Sequence, residues 1–174
     1  LVLAGDIFYL KDRVAPLGNF WKWASKNYRQ VLIVPGNHEY YNYCDVMERG
    51  LQWRWMFKEN VGYYQNQVLR IDDTDFIMST FWGHIKKSLA ESTAEHIVVV
   101  THHLPTLQVV APQHKGSVLN SAFASEYGDL IANSRINAWI YGHSHTNIDT
   151  EIGSTKVICN QMGYTFENEH VING

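Results

Sequence analysis

The sequence is poor in cysteine and in net charge, and it contains no long apolar run. Its two cysteines, Cys44 and Cys159, form no CxxC motif, which excludes a disulfide framework or a zinc knuckle and favours a reducing, cytoplasmic setting. The formal net charge of -3 gives no overall attraction to nucleic acid or to anionic membranes. No apolar stretch is long enough for a membrane-spanning helix. We therefore interpret residues 1–174, with 45% hydrophobic content, as one globular domain.

Short apolar runs that end in turn residues predict strands, and the segments between them predict helices. In the first half of the chain, residues 1–4 and 31–34 predict two strands on either side of a helix at 19–30, which is a βαβ unit. Residues 44–58 are rich in Trp and Met and predict a second helix.

The second half of the chain predicts more strands. Residues 68–71 and 76–80 predict an antiparallel pair, and the acidic residues between them are better explained by turn formation than by metal binding. The runs at 96–101 and 138–141 predict buried strands with a helix at 125–132 between them, and 148–152 with 156–159 predict a closing hairpin. The whole pattern predicts an α/β fold.

Four polar clusters each follow a predicted strand directly. They are Gly5-Asp6, Gly36-Asn37-His38-Glu39, Thr101-His102-His103 and Gly142-His143-Ser144-His145. Because the carboxyl ends of parallel strands meet at one edge of a sheet, we expect these clusters to converge. Their carboxylate, amide and imidazole groups suit Mn, Fe, Zn or Co better than Ca or Mg. Two such ions, roughly 3.5–4 Å apart, hold a phosphoryl oxygen and generate hydroxide.

In this order, the clusters resemble the sequence blocks of the calcineurin-like metallophosphoesterase superfamily, and the resemblance covers essentially the whole chain. It implies two packed, mainly mixed β-sheets flanked by helices, in a four-layer α/β/β/α sandwich. It also implies that a metal-bound hydroxide at a dinuclear centre hydrolyses a phosphomonoester or phosphodiester, with a small phosphate ester as the substrate.

The same resemblance implies a set of metal ligands. Asp6 bridges two divalent metal ions, of the Mn, Fe, Zn or Co class. Asn37, His102 and His143 complete the shell of one ion, and His145 helps to hold the other.

Four further residues are candidates for contact with the substrate. The resemblance implies that His38 acts with Asp6 in catalysis, by assisting the leaving group. His102 and His103 point to opposite faces of an extended chain, so one of the two is the ligand. We assign the ligand to His102, which follows the predicted strand immediately, and a substrate-facing or supporting role to His103. Tyr40 and Tyr41 are candidates for substrate binding, against the alternative that they pack at the rim of the site.

Two departures from the family pattern lead to further expectations. The Asp-x-His block that supplies the first metal ion in the family does not occur before Gly5-Asp6, so we expect it, with the first strand, upstream of Leu1 or else an impaired site. We also expect a segment to be missing between Ile85 and Lys86. An impaired site makes a scaffold that binds a protein partner the main alternative. A nuclease is the other, although the sequence shows no basic stripe.

Overall fold

Two mixed sheets form the centre of the fold, in a computed structural model that describes residues 1–7, 18–41 and 52–173. The strands of the first sheet are, in spatial order, β1 (Val2–Leu3), β2 (Val31–Ile33), β4 (Val61–Gln65) and β3 (Trp53–Lys58). The first three of these are parallel, and β3 pairs with β4 in the antiparallel direction.

The second sheet has six strands. In spatial order they are β5 (Gln67–Ile71), β6 (Thr74–Met78), β7 (His96–Val100), β8 (Ala138–Ile140), β10 (Thr155–Ile158) and β9 (Thr150–Ile152). The four central strands are parallel, and the edge strands β5 and β9 are antiparallel to their neighbours. The carboxyl ends of β6, β7, β8 and β10 therefore lie at one edge of the sheet.

Helices connect and flank these strands. The described α-helices are α1 (Asn19–Asn27), α2 (Trp82–Glu91), α3 (Asn120–Phe123), α4 (Gly128–Ala132) and α5 (Glu169–Asn173). Short 3₁₀ turns cover His38–Tyr40, Leu107–Val109, Pro112–His114 and Thr165–Glu167. Within the described ranges, no helix combines the length and the apolar character needed to cross a membrane.

Alternation along β2 explains how the first sheet packs on both faces. Val31 and Ile33 belong to one buried cluster with Trp21 and Ala24 of α1. Leu32 points the other way and packs in a second cluster with strand residues of the second sheet. Burying one such aliphatic side chain contributes about 1.5–3 kcal/mol.

The second sheet repeats this arrangement. Val100 of β7 packs with Leu32 between the two sheets, whereas Val99 packs on the outer face with Ile85 of α2 and Ile131 of α4. The three buried clusters are thus the three interfaces between four layers. This confirms the predicted α/β/β/α sandwich with two mixed sheets.

Several predicted elements are confirmed, with small shifts of their bounds. The βαβ unit is formed by β1, α1 and β2, the acidic turn joins β5 to β6, and β9 pairs with β10 as the closing hairpin. Cys159 is buried in the outer cluster of the second sheet, as expected of a small core residue.

The predicted helix at residues 44–58 is wrong where the structure describes it. Trp53–Lys58 forms β3, while residues 42–51 lie outside the described part of the chain. Trp53, Trp55 and Phe57 recur with a period of two, and all three pack on the cluster beneath α1. The spacing of these aromatic residues is therefore that of a strand, and the high aromatic content of the segment led to the wrong prediction of a helix.

Ile85 and Lys86, between which a segment is expected to be missing, are consecutive in α2, which connects the neighbouring parallel strands β6 and β7. The missing segment stays a prediction.

The ion pair between Arg70 and Asp75 leads to a prediction about stability. The Arg70 guanidinium donates two hydrogen bonds, of 2.5 and 3.0 Å, to the carboxylate of Asp75, which is 3% exposed. We expect Asp75→Asn to lower the free energy of unfolding by roughly 1–3 kcal/mol, measured by urea denaturation. Asp72→Asn, at an ion pair whose side chains are 65% and 73% exposed, should change it by less than about 1 kcal/mol.

The same pair should make stability depend on pH. The hydrogen bonds from Arg70 lower the pKa of Asp75 in the folded protein, against the opposing effect of burial. A lowered folded pKa stabilises the protein above the unfolded pKa of about 3.9 and loses this effect as the pH falls through the folded value. The difference between the native protein and Asp75→Asn should therefore shrink below pH 4, and a constant difference would contradict this explanation.

Candidate metal centre

The buried carboxylate of Glu39 organises the loops that follow β1 and β2. It accepts backbone hydrogen bonds from Asp6 (2.8 Å), Ile7 (2.6 Å) and Gly36 (2.6 Å), and a fourth from the hydroxyl of Tyr63 in β4 (2.8 Å). The side chain is fully buried. Because all four partners are donors, a group that only accepts fits this position. Glu39 thereby fixes the two loops against each other.

Glycine is required where these loops meet. A Cβ on Gly5 would lie 2.5 Å from the backbone nitrogen of Gly36 and 2.7 Å from Nδ1 of His102, and φ of Gly5 is +87°. A Cβ on Gly36 would collide with the carboxylate of Asp6. Both residues therefore allow an approach that any side chain would block.

Three ligand atoms converge on Nε2 of His102, which makes a cluster of four. The Asn37 side-chain oxygen lies 2.9 Å from it, Nδ1 of His143 lies 3.0 Å away, and Oδ2 of Asp6 lies 3.2 Å away. Nδ1 of His102 lies 2.6 Å from the carbonyl oxygen of Ala4, which can only accept, so Nδ1 carries the proton. Nε2 of His102 therefore faces the other three ligand atoms, and it is the nitrogen that would bind a metal ion.

The orientation of Asn37 is set by Tyr41. The Asn37 side-chain nitrogen donates to the Tyr41 hydroxyl at 2.7 Å, which turns the amide oxygen toward His102. Tyr41 also stacks on His38, with ring centroids 4.5 Å apart. Tyr41 thus has contacts within the site in addition to its predicted place near a substrate.

The electrostatics of the cluster keep Asp6 charged and two histidines neutral. Burial opposes ionisation of Asp6, but His102 and the backbone N–H of His38 overcome it and lower the pKa. Burial, together with the neighbouring imidazoles, lowers the pKa of His143 to about 3 and that of His103 to about 4. Both imidazoles are therefore in the unprotonated form that binds metals.

Three of the predicted metal ligands have left-handed backbone conformations. The φ angles are +58° for Asp6, +74° for His143 and +49° for His145. Asp and His enter this region more readily than most residues, yet each instance carries strain that the surrounding structure must hold. Such strain is typical of functional sites.

His145 and His38 border the same cavity, of about 390 Å³, as Asp6, His102 and His143. Nδ1 of His145 lies 2.9 Å from the carboxylate of Glu169 in α5, while His145 packs edge-on against Tyr164. The backbone N–H of His38 donates to Asp6, and its Nε2 lies 3.9 Å from the other Asp6 oxygen. The structure therefore places His145 beside the cluster rather than within it.

The two remaining candidates lie behind the cluster. The ring of His103 contacts those of His102 and His143, with centroids 5.2 and 4.5 Å away. Tyr40 packs against Trp53 of β3. For Tyr40 the structure thus favours the packing alternative.

The donor set fits a divalent cation. Ligand atoms at about 2.0–2.2 Å from one ion lie roughly 3 Å from one another, which matches the 2.9–3.2 Å from Nε2 of His102 to the other three atoms. A cation at this point would bind carboxylate and amide oxygens and two imidazole nitrogens. Among the described residues, Asp6, His102 and His143 form a partly buried group whose ligand atoms lie within 4.8 Å of one another.

Comparison with known proteins agrees with this geometry. The model of the calcineurin-like phosphoesterase family matches residues 1–147, most of the chain. This chain belongs to that family. The chain is also similar to an uncharacterized protein of Acanthamoeba polyphaga mimivirus. The two are 25% identical over an alignment 227 residues long, which covers 98% of this chain and 80% of the viral protein. Calcineurin-like phosphoesterases bind divalent metals and hydrolyse phosphoesters.

Sequence reasoning missed two carboxylates of this phosphoesterase site. Glu39 stands inside the GNHE motif, but its hydrogen bonds come from two loops and from Tyr63 within β4. Such contacts between distant segments cannot be inferred from a single sequence. Glu169 stands 24 residues after His145, in a segment with no motif. A partner for His145 could be expected on chemical grounds, since metal-binding histidines usually donate their second N–H to a carboxylate or carbonyl.

Replacing Glu39 should damage both the fold and metal binding. In Glu39→Gln the amide nitrogen would face N–H donors, so we expect a loss of about 3 kcal/mol or more in the free energy of unfolding and weaker Mn binding. Urea denaturation and calorimetry measure the two effects. Glu95→Gln, at a side chain 73% exposed, should change stability by less than about 0.5 kcal/mol. Equal effects of the two substitutions would refute this role.

The imidazoles of His143 and His103 should stay neutral in the metal-free protein. Their lowered pKa values predict that their NMR shifts do not change between pH 8 and pH 5, whereas both should titrate near pH 6.5 in urea. Since the unfolded chain then binds protons that the folded chain does not, the free energy of unfolding should fall as the pH is lowered from about 6.5. A native midpoint above pH 5 for His143 would contradict the assigned burial.

Proposed function

We propose that this phosphoesterase hydrolyses small phosphomonoesters or phosphodiesters with two divalent metal ions. The observation that carries the proposal is the convergence of Asp6, Asn37, His102 and His143 on one point. Three of these four residues, Asp6, His102 and His143, line a cavity together with His38 and His145. The nitrogen and oxygen ligands suit Mn, Fe, Zn or Co. We further propose a cytoplasmic location, in line with the few cysteines.

The bound ions would supply Lewis acidity toward the phosphoryl oxygens and would lower the pKa of a water molecule. The protein's own residues would hold the ions and orient the substrate. Asp6 would contribute its carboxylate, which lies 3.2 Å from Nε2 of His102 on one side and 3.9 Å from Nε2 of His38 on the other, to both ions. His145, oriented by Glu169, would serve the second ion.

His38 is the candidate for proton transfer to the leaving group. Its backbone is fixed by Asp6, and its ring lies between Tyr41 and Tyr164 at the edge of the cavity. Its Nε2 is 3.5 Å from the Tyr164 hydroxyl. A positioned imidazole of this kind contributes about 10²–10⁴-fold to a rate.

The charge around the cavity favours a small ester over a nucleic acid. Its lining contains no Lys or Arg within the described chain. Arg29, Arg54 and Arg70 lie together in a separate cleft, and Arg29 and Arg70 are paired with aspartates there. Binding to a nucleic-acid backbone needs several cationic contacts near the reacting phosphate.

Two substitutions separate metal binding from proton transfer. Asp6→Asn should reduce the bound Mn and the hydrolysis of p-nitrophenyl phosphate and its diester together, because it removes the shared ligand. His38→Ala should lower kcat about 10²-fold or more while the Mn content stays unchanged. Metal analysis and steady-state kinetics measure both properties.

Matched controls are Asp129→Asn and His96→Ala, at exposed positions away from the cavity. Both should keep the native metal content and kcat. Full activity of Asp6→Asn would sink the assigned metal site. A native protein that binds Mn but hydrolyses neither ester would favour the scaffold alternative.

A further inference from the structure

A second cavity, of about 180 Å³, adjoins the metal centre. Its inner wall is formed by Leu104, Val110 and Ala111, which are 2–5% exposed, and Leu119 and Phe123 close it from outside. These residues belong to the segment that leaves β7 after His102 and His103. The segment that supplies a metal ligand therefore also builds the cavity.

Two contacts join the cavity to the metal centre. The ring of Phe123 lies 4.6 Å from that of His143. Ser144, which also lines the cavity, stands between His143 and His145 in the GHSH motif. A group bonded to a phosphoryl group at the metal centre would thus reach this cavity directly.

The size and the lining of the cavity restrict what it binds. A cavity of about 150 Å³ lined by aliphatic and aromatic side chains takes up benzene, so about 180 Å³ holds one aromatic ring or one branched alkyl group. Within the described chain, its lining has one ionisable side chain, His114, and neither Lys nor Arg. The remaining polar residues, Ser117, Asn120 and Ser144, are neutral. This lining does not suit a second phosphate.

We propose that this cavity binds the organic group of the substrate, and that the substrate is a phosphate ester of a compact, uncharged, apolar alcohol. The assignment rests on the proposed phosphoesterase function and specifies its substrate class. Ala111 and Phe123 determine the specificity: Ala111 leaves the space open, and Phe123 forms the wall nearest to His143.

Calorimetry with two non-hydrolysable probes tests the cavity without turnover. Benzylphosphonate and ethylphosphonate carry the same anion and differ in the apolar group, and both are titrated into the Mn-loaded protein. We expect benzylphosphonate to bind about 10–100-fold more tightly, because only its ring fills the cavity. Equal affinities for the two probes would overturn the proposal.

Variants of the cavity then test whether it causes the tighter binding of benzylphosphonate. Ala111→Leu fills the cavity and should reduce the ratio of the two association constants about tenfold. Phe123→Ala removes a wall residue that is 40% exposed, so it should destabilise the protein less than Ala111→Leu. It should also lower the ratio of the association constants, and it tests the proposal if Ala111→Leu does not fold. Val118→Leu, on the same segment at a side chain 91% exposed and outside the cavity lining, should keep the native ratio. If Phe123→Ala keeps the native ratio of the two association constants, the preference for benzylphosphonate does not arise in this cavity and the proposal is overturned.

Hydrolysis of benzyl phosphate and ethyl phosphate separates this proposal from the function on which it rests. Both leaving groups are simple alkoxides, so a difference in kcat/KM reports binding of the organic group. Equal kcat/KM values would retain the phosphoesterase function and overturn the cavity assignment. Selective benzylphosphonate binding without hydrolysis of either ester would retain the cavity and overturn the function.

Discussion

The carboxylate of Glu39 is the constraint on which the site depends. Its hydrogen bonds connect the loops after β1 and β2 with Tyr63 in the middle of β4, and these are three neighbouring strands of the first sheet. Asp6 can keep a left-handed backbone and Gly36 can pass close beside it because these bonds hold both loops. A buried carboxylate with satisfied acceptors is rigid as well as stable, since no solvent competes for its partners. The position of the Asp6 carboxylate is thus set by Glu39, which is not one of the proposed metal ligands.

The site also joins the two sheets of the sandwich. His102 follows β7 in the second sheet, yet its ring donates to Ala4, which follows β1 in the first. Its own carbonyl accepts from Gly142, which follows β8. Asp6 and Asn37 therefore come from one sheet, and His102 and His143 from the other. A cation bound among them would hold the sheets together and stabilise the folded state by mass action.

Sequence reasoning predicted what depends on local order and missed what depends on packing. The strand-end motifs predicted the α/β fold class and the residues that converge, because strand polarity places GD and GNHE at one edge of the first sheet and THH and GHSH at one edge of the second. The packing of the two sheets then brings the two pairs of motifs together. The pattern at Trp53–Lys58 was misinterpreted because aromatic content outweighed its period of two. Glu169 and the cavity beside Phe123 arise only when distant segments meet. No single sequence shows such contacts.

The arrangement of the cluster is costly to the fold. Asp6, Asn37 and His143 crowd Nε2 of His102, burial keeps the imidazoles of His143 and His103 from the protonated form, and three predicted ligands have strained backbones. Such costs persist only where the surrounding contacts determine the geometry. Here the surrounding contacts are the Glu39 hydrogen bonds and the close glycine approach. Because these contacts already hold the ligands in place, little of the binding energy of a divalent cation would go into reorganising them.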